Sequence, residues 1–311
     1  MSLEKFIDDL PRNREQWVQY AKRAGLLHKS LRHCKKLQSG SCVNDEQFML
    51  FRTICPQSIY PDYFNPADYG LDLTTASDTL AMSQGFQAYL NQVGTNNFRG
   101  LGEFGTTLVQ QWEVLEGLRN RTDPLKCSDK TPVNSSLIKL LQALSLLPST
   151  TTSEWRSTRI RLRGTFGNHN LRSGESPPQF VAITDGQLQD KQTGNIKSVI
   201  KCKGYPRNIM GKAVDMQEAA EVVAWVSRYP DTDRSINTHH RVLVSKDGCE
   251  IWITFAVYDN SWADYLDGRG GGGTRQPSLM TMQRYGPYDI GNRRQSYVQH
   301  TGSQRTASEW P

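Results

Sequence analysis

Phe180-Val-Ala-Ile-Thr-Asp185-Gly186, then Ser198-Val-Ile-Lys-Cys-Lys203, then Val214–Arg228 decide how this chain folds. The first stretch is a short apolar run closing on an acid and a glycine. Gln187–Lys191 continues extended and Gln192-Thr-Gly-Asn195 reads as a turn, so the second run returns as a neighbouring strand. In Val214–Arg228, Ala219, Val222, Val223 and Val226 recur at three- and four-residue steps, the spacing of a buried helix face. Arg241–Ser245 and Glu250–Tyr258 read as two more strands, joined through the tight turn Lys246-Asp-Gly248. Strand, strand, helix, strand, strand is the order of a mixed sheet with a crossover helix. The expected fold class is α/β (α+β), a mixed sheet flanked by helices.

Upstream the grammar changes. Residues 13–37 read as an amphipathic helix, with Trp17, Tyr20, Ala21, Ala24, Leu27 and Leu31 on one face. Leu101–Arg119 and Asn134–Leu147 read as two more helices, the latter capped by Asn134 or Ser135. Residues 56–100, rich in Pro, Asn, Gly and aromatics, carry a weak pattern. Pro148–Ser153 reads as a linker. The expected organisation is a mostly helical region at 1–150, a sheet-bearing domain at 151–290 and a disordered basic tail at 291–311. Gly270–Gly273 is expected to be a flexible loop: no strand feeds it and no Lys-Ser/Thr pair follows, so it is not a phosphate loop.

The 311 residues carry a net charge of +6. From Gly268 onward there are six arginines and two acids, so this stretch supplies +4 of the excess and the rest of the chain is nearly balanced. No run approaches the 18 apolar residues of a membrane span, and the start has no apolar signal core. An intracellular protein, cytoplasmic or nuclear and not membrane-bound, is expected. The 6 cysteines, with no C-x-x-C pair, are expected to be free thiols. His33, Cys34, Cys42 and Cys55 fit no common zinc spacing. His169, His239 and His240 are expected at the surface in loops.

Chemistry is concentrated around one hairpin. Asp185 ends one strand. On the next, Lys201 and Lys203 share a face by the two-residue period, and Cys202 points to the opposite, buried face. Gln217 and Glu218 lie in the first turns of the helix that follows. Each has a plain structural alternative: a strand-end Asp-Gly pair, solvent-facing lysines, and helix N-terminal residues that suit the dipole.

Several blocks in order carry a resemblance: Pro178–Gln187, Ile200–Lys203, Met216–Trp225, Arg241–Ser245, Glu250–Ala256 and Tyr285–Asp289. They resemble the PD-(D/E)XK nuclease superfamily, the restriction-endonuclease-like fold, and within it a fungal branch of nuclease-like proteins. The resemblance spans about the last 40% of the chain. It implies that Asp185 takes the metal-aspartate position, Lys203 the catalytic lysine position and Gln217 the supporting glutamine position, around Mg²⁺. Carboxylates suit this hard cation, which neutralises phosphate oxygens and lowers the pKa of a bound water. The lysine stabilises charge developing in the transition state. The pattern departs at Lys201, where the family has Glu or Asp. Glu218, Glu221 or Asp190 are candidate migrated acids, and Glu154 is a candidate for the acid of the fold's first helix. The family continues past Tyr285–Asp289 with a further helix, for which residues 294–311 lack apolar spacing.

Three functional expectations follow from the resemblance. The first is a nuclease-like protein whose catalysis is impaired by Lys201. The second is an active Mg²⁺-dependent nuclease with a migrated acid. The third is a non-enzymatic interaction or accessory protein, linked to a fungal biosynthetic gene cluster, that binds a protein partner. Nucleic acid is the partner in the first two.

Overall fold

The structure is a computed structural model, and it describes residues 6–34, 37–119, 129–148, 150–167, 176–269 and 276–291. His169, Gly270–Gly273 and the tail from residue 292 onward lie outside the described residues. The helices are α1 (Arg14–Arg23), α2 (Asp45–Leu50), α3 (Thr74–Met82), α4 (Gln84–Gln92), α5 (Gly105–Arg119), α6 (Thr131–Ser145), α7 (Arg207–Met210), α8 (Lys212–Arg228) and α9 (Asn260–Asp267). The strands are β1 (Thr53–Ile54), β2 (Ser153–Arg156), β3 (Arg161–Thr165), β4 (Gln179–Ile183), β5 (Gly186–Asp190), β6 (Ile196–Lys203), β7 (Thr238–Asp247), β8 (Glu250–Asp259) and β9 (Met280–Asp289).

Seven strands form one mixed sheet in the order β1-β9-β8-β7-β6-β5-β2, and β3 and β4 form a separate hairpin. The expected α/β class holds. β6 and β7 run parallel, with Lys201 beside Ser245 and Lys203 beside Asp247, so the chain must cross over between them. Helix α8 makes that crossover. It lies between the sheet and the β3–β4 hairpin, which explains why 12 of its 17 residues are buried, among them Val214, Ala219, Val222 and Trp225. The opposite face of the sheet is covered by α6, whose Val133, Leu137 and Ile138 pack on Ile200, Cys202 and Val244.

The expected boundary at 150 does not separate two cores. Trp17, Phe48 and Phe51 share a cluster with Phe180, Val223 and Trp262. Trp262 Nε1 donates to Phe51 O at 3.0 Å and Tyr265 OH to Leu50 O at 2.6 Å. β1 extends the sheet beside β9. The apolar faces of α1 and α2 are too small to close on each other; α1 packs on β1, and α2 on β1 and α8.

Helix α1 ends at Arg23, well short of residue 37, because Gly25 follows in the left-handed region at φ 66°. Helix α6 begins three residues earlier than expected, with Pro132 in its first turn. Asn134 therefore sits inside the helix, free to bond elsewhere. His239 and His240 lie on β7 rather than in loops, and His239 is buried with Nε2 2.9 Å from Asn260 Oδ1. The five cysteines among the described residues are free thiols. Among the described residues, no helix is long and apolar enough to cross a membrane.

Phe51 is fully buried, its ring centroid 5.5 Å from that of Phe180 in the far half of the chain and tilted by 34°. Phe51→Ala should lower the unfolding free energy by about 3–5 kcal/mol while denaturant unfolding stays a single transition. Two resolved transitions, with only one shifted, would mean separate cores.

Candidate functional site

Asp185 sits where β4 hands over to β5. Its N–H donates to Ile200 O at 2.8 Å, and its carbonyl accepts from Asn134 Nδ2 at 3.1 Å. The next residue has to be small: a Cβ on Gly186 would stand 2.6 Å from Arg156 O of the neighbouring β2. The Asp-Gly pair is thus a close approach of strands rather than a turn. The carboxylate is buried and crowded by donors. Oδ2 accepts the Cys202 N–H at 3.0 Å, Oδ1 is 2.5 Å from Lys130 Nζ and 3.7 Å from Arg159 Nε, and Lys201 Nζ is 3.7 Å from Oδ2. Burial alone would raise this carboxyl, but Lys201, Lys130 and the Cys202 N–H outweigh it and hold it below its ordinary value.

Lys201 is only 2% exposed. Its ammonium lies 2.5 Å from Glu221 Oε1 and donates to Ile183 O at 3.0 Å. Two carboxylates and a backbone carbonyl therefore surround one cation. Burial would lower the Lys201 pKa, yet Glu221 and Asp185 raise it above its ordinary value, so the group is charged. Glu221 is raised to about 7 by burial, against the pull of Lys201. On the same sheet face, Lys203 Nζ donates to Gln217 Oε1 at 2.5 Å, and burial and then the neighbouring Lys201 lower its pKa. Cys202 faces the other way, its Sγ 3.5 Å from Asn134 Oδ1 on α6.

Asp185, Lys201, Lys203, Gln217 and Glu221 are thus brought together. Other candidates are not. Glu218 is held by Arg207, which also binds Asp247 at 2.6 Å and Asp215 at 2.8 Å, with Arg284 joining Asp215 at 2.5 Å. Burial would raise the Glu218 carboxyl, but Arg207 and Arg284 keep it low. Glu154 lies on strand β2, not on a first helix, and pairs with Arg156 at the surface. Asp190 closes its own turn by accepting from Thr193 N at 2.9 Å and pairs with Lys197 at 3.0 Å. The sequence reading misses Lys130 and Arg159, which reach Asp185 from segments far from the hairpin; no local pattern marks them.

The donor set does not fit Mg²⁺. That ion needs several oxygen ligands around one point, and here the two converging carboxylates close on the Lys201 ammonium. Among the described residues, no group of three His, Cys, Asp or Glu is placed to hold a metal ion.

Two measurements check this electrostatic layout. Lys201→Met would leave Glu221 as a buried acid without its cation, while Asp185 keeps Lys130 and the Cys202 N–H, and should destabilise by about 3–5 kcal/mol. Glu221 has the opposite pH signature to a salt-bridged surface acid. Its folded pKa of about 7 lies above the ordinary 4.5, so between these values the folded protein keeps a proton that the unfolded chain releases. Its contribution to stability therefore declines as pH rises from 4.5 to 7 and is lowest above 7. Glu221→Gln should flatten that part of the pH–stability curve; an unchanged slope would show that Glu221 is ionised throughout.

Set beside known proteins, the chain matches no protein-family model and no curated protein.

Proposed function

We propose that the chain is a PD-(D/E)XK nuclease-like protein whose Asp185 pocket binds phosphodiesters without cleaving them. One observation carries this reading: the Lys201 ammonium stands among Asp185, Glu221 and Ile183 O, the place where the resemblance would put a divalent cation. An ammonium neutralises the carboxylates, but it cannot lower the pKa of a water as a bound metal does. The charge balance supports the same reading. Among the described residues, Lys130, Arg159, Lys201 and Lys203 surround the two carboxylates of Asp185 and Glu221, a positive balance suited to an anion. Lys130 and Arg159 are partly exposed, with side chains 39% and 59% accessible, and form the pocket's outer rim.

The migrated-acid reading is weaker. Glu221 does approach the site, but it spends its carboxylate on Lys201, and Glu218 and Asp190 have partners elsewhere.

The test is a nuclease and binding assay on single-stranded DNA and RNA with Mg²⁺ or Mn²⁺. Wild type should bind with an affinity that falls steeply with salt and should cut neither polymer. Lys203→Ala and Arg159→Ala should each reduce the salt slope by about one. In Lys201→Glu, Mn²⁺ should raise the melting temperature, an effect absent from wild type. Metal-dependent cutting by wild type that disappears in Asp185→Ala would sink the proposal and favour the active enzyme.

A further inference from the structure

Residues 53–98 form a stretch of 46 positions with four acids and no Lys, Arg, His or Glu, although the whole chain carries +6. Asp62, Asp68, Asp72 and Asp78 are all exposed. None of them pairs with a cation among the described residues. The same segment exposes large apolar side chains: Tyr60 at 65%, Tyr63 at 75% and Met82 at 81%, with Leu71 and Leu73 also exposed. Its base is anchored. Tyr69 stacks at 3.8 Å on Phe255 and its hydroxyl lies 2.9 Å from that of Tyr285.

Helix α3 stands out within this segment. It has nine residues, none buried, and its N-cap Leu73 supplies no side-chain bond. Three threonines, a serine and an aspartate make it a weak helix former. Isolated helices shorter than about 12–15 residues are marginal in water, and protein helices draw most of their stability from a packed face. Helix α3 leans on α4, with Gln87 Nε2 bonding Leu80 O at 3.1 Å, and has no packed face of its own.

We infer that Tyr60–Met82 is the docking surface for a protein partner that presents a cationic, amphipathic segment. Apolar anchors of the partner would cover Leu73 and Met82 and give α3 the packing it lacks. Its Lys or Arg residues would meet Asp72 and Asp78. A second copy of this chain is a poor occupant, because the same four carboxylates would face each other across the contact. Nucleic acid and anionic lipid are repelled by the same charge. This surface is independent of the Asp185 pocket, which is positive and would repel such a partner.

The probe is an 18-residue amphipathic Leu/Lys helical peptide, added to the full chain and read by hydrogen exchange and fluorescence anisotropy. A Leu/Glu peptide of the same pattern and a Gly/Lys peptide of the same charge are controls. The Leu/Lys peptide should slow amide exchange across 60–82, with both controls binding at least tenfold more weakly. Leu73→Glu/Met82→Glu and Asp72→Lys/Asp78→Lys should each weaken binding at least tenfold, and Lys203→Ala should leave it unchanged. All four substituted surface residues are exposed, so the folded state should survive, and the wild-type exchange map stands without the variants. Protection outside 60–82, equal binding of the Gly/Lys peptide, or full affinity in the surface variants would overturn the inference. So would a concentration-dependent dimer in sedimentation that is lost in Leu73→Glu/Met82→Glu, since a second copy would then be the occupant.

Discussion

A helix wrapped on nearly every side cannot leave its charges to water. Helix α8 brings Glu218 and Glu221 into the interior, both fully buried, and Asp215 close behind them. Ionised groups in such a place need partners within the protein. The fold supplies them from two directions. Lys201 rises from the sheet to Glu221, and Arg207 and Arg284 close on Asp215 and Glu218. Lys201 cannot be read apart from this requirement. Its ammonium serves the helix above it and Asp185 beside it at once, so the cation beside Asp185 is also one that lets α8 be sealed in.

That dual service shapes what the pocket can do. A carboxylate paired with an internal cation is not available to bind a metal. Lys130 and Arg159, both partly exposed, lie beside the one carboxylate of Asp185, and the proposed function has them meet an incoming anion. Lys203, its pKa lowered by burial and by Lys201, is fixed by Gln217 rather than left to roam. In this reading the site is a rigid, preformed anion receptor.

The legible parts of the chain are those whose signal is local. The switch from a two-residue to a helical period marks β6 and α8, and the alternation of Lys201, Cys202 and Lys203 assigns each to its sheet face. β9 carries Gly286 and Pro287 and shows no clean alternation, and β1 is two residues long, so neither announces itself as a strand. Asp185 is legible as a strand-end acid, but its surroundings are not. Lys130 arrives because α6 packs across the sheet, and Arg159 because β2 leads into β3. Glu221 is visible as a candidate acid one turn beyond Glu218, yet that the two turn to different cations depends on where Lys201 and Arg207 stand in space. The boundary drawn at 150 follows a change in composition, and composition does not report which apolar faces are too small to close alone.

The pairing of Thr53 with Met280 and Ile54 with Thr281 places the sheet's first strand beside its last. On a ribosome adding about 5–20 residues per second, roughly 10–50 s pass between the emergence of these partners. Phe48, Met49 and Phe51 have been made before that interval begins, while α8, α9 and β9, which share their cluster, follow only in its last third. The nascent chain thus carries an uncovered greasy surface until those late elements have been added.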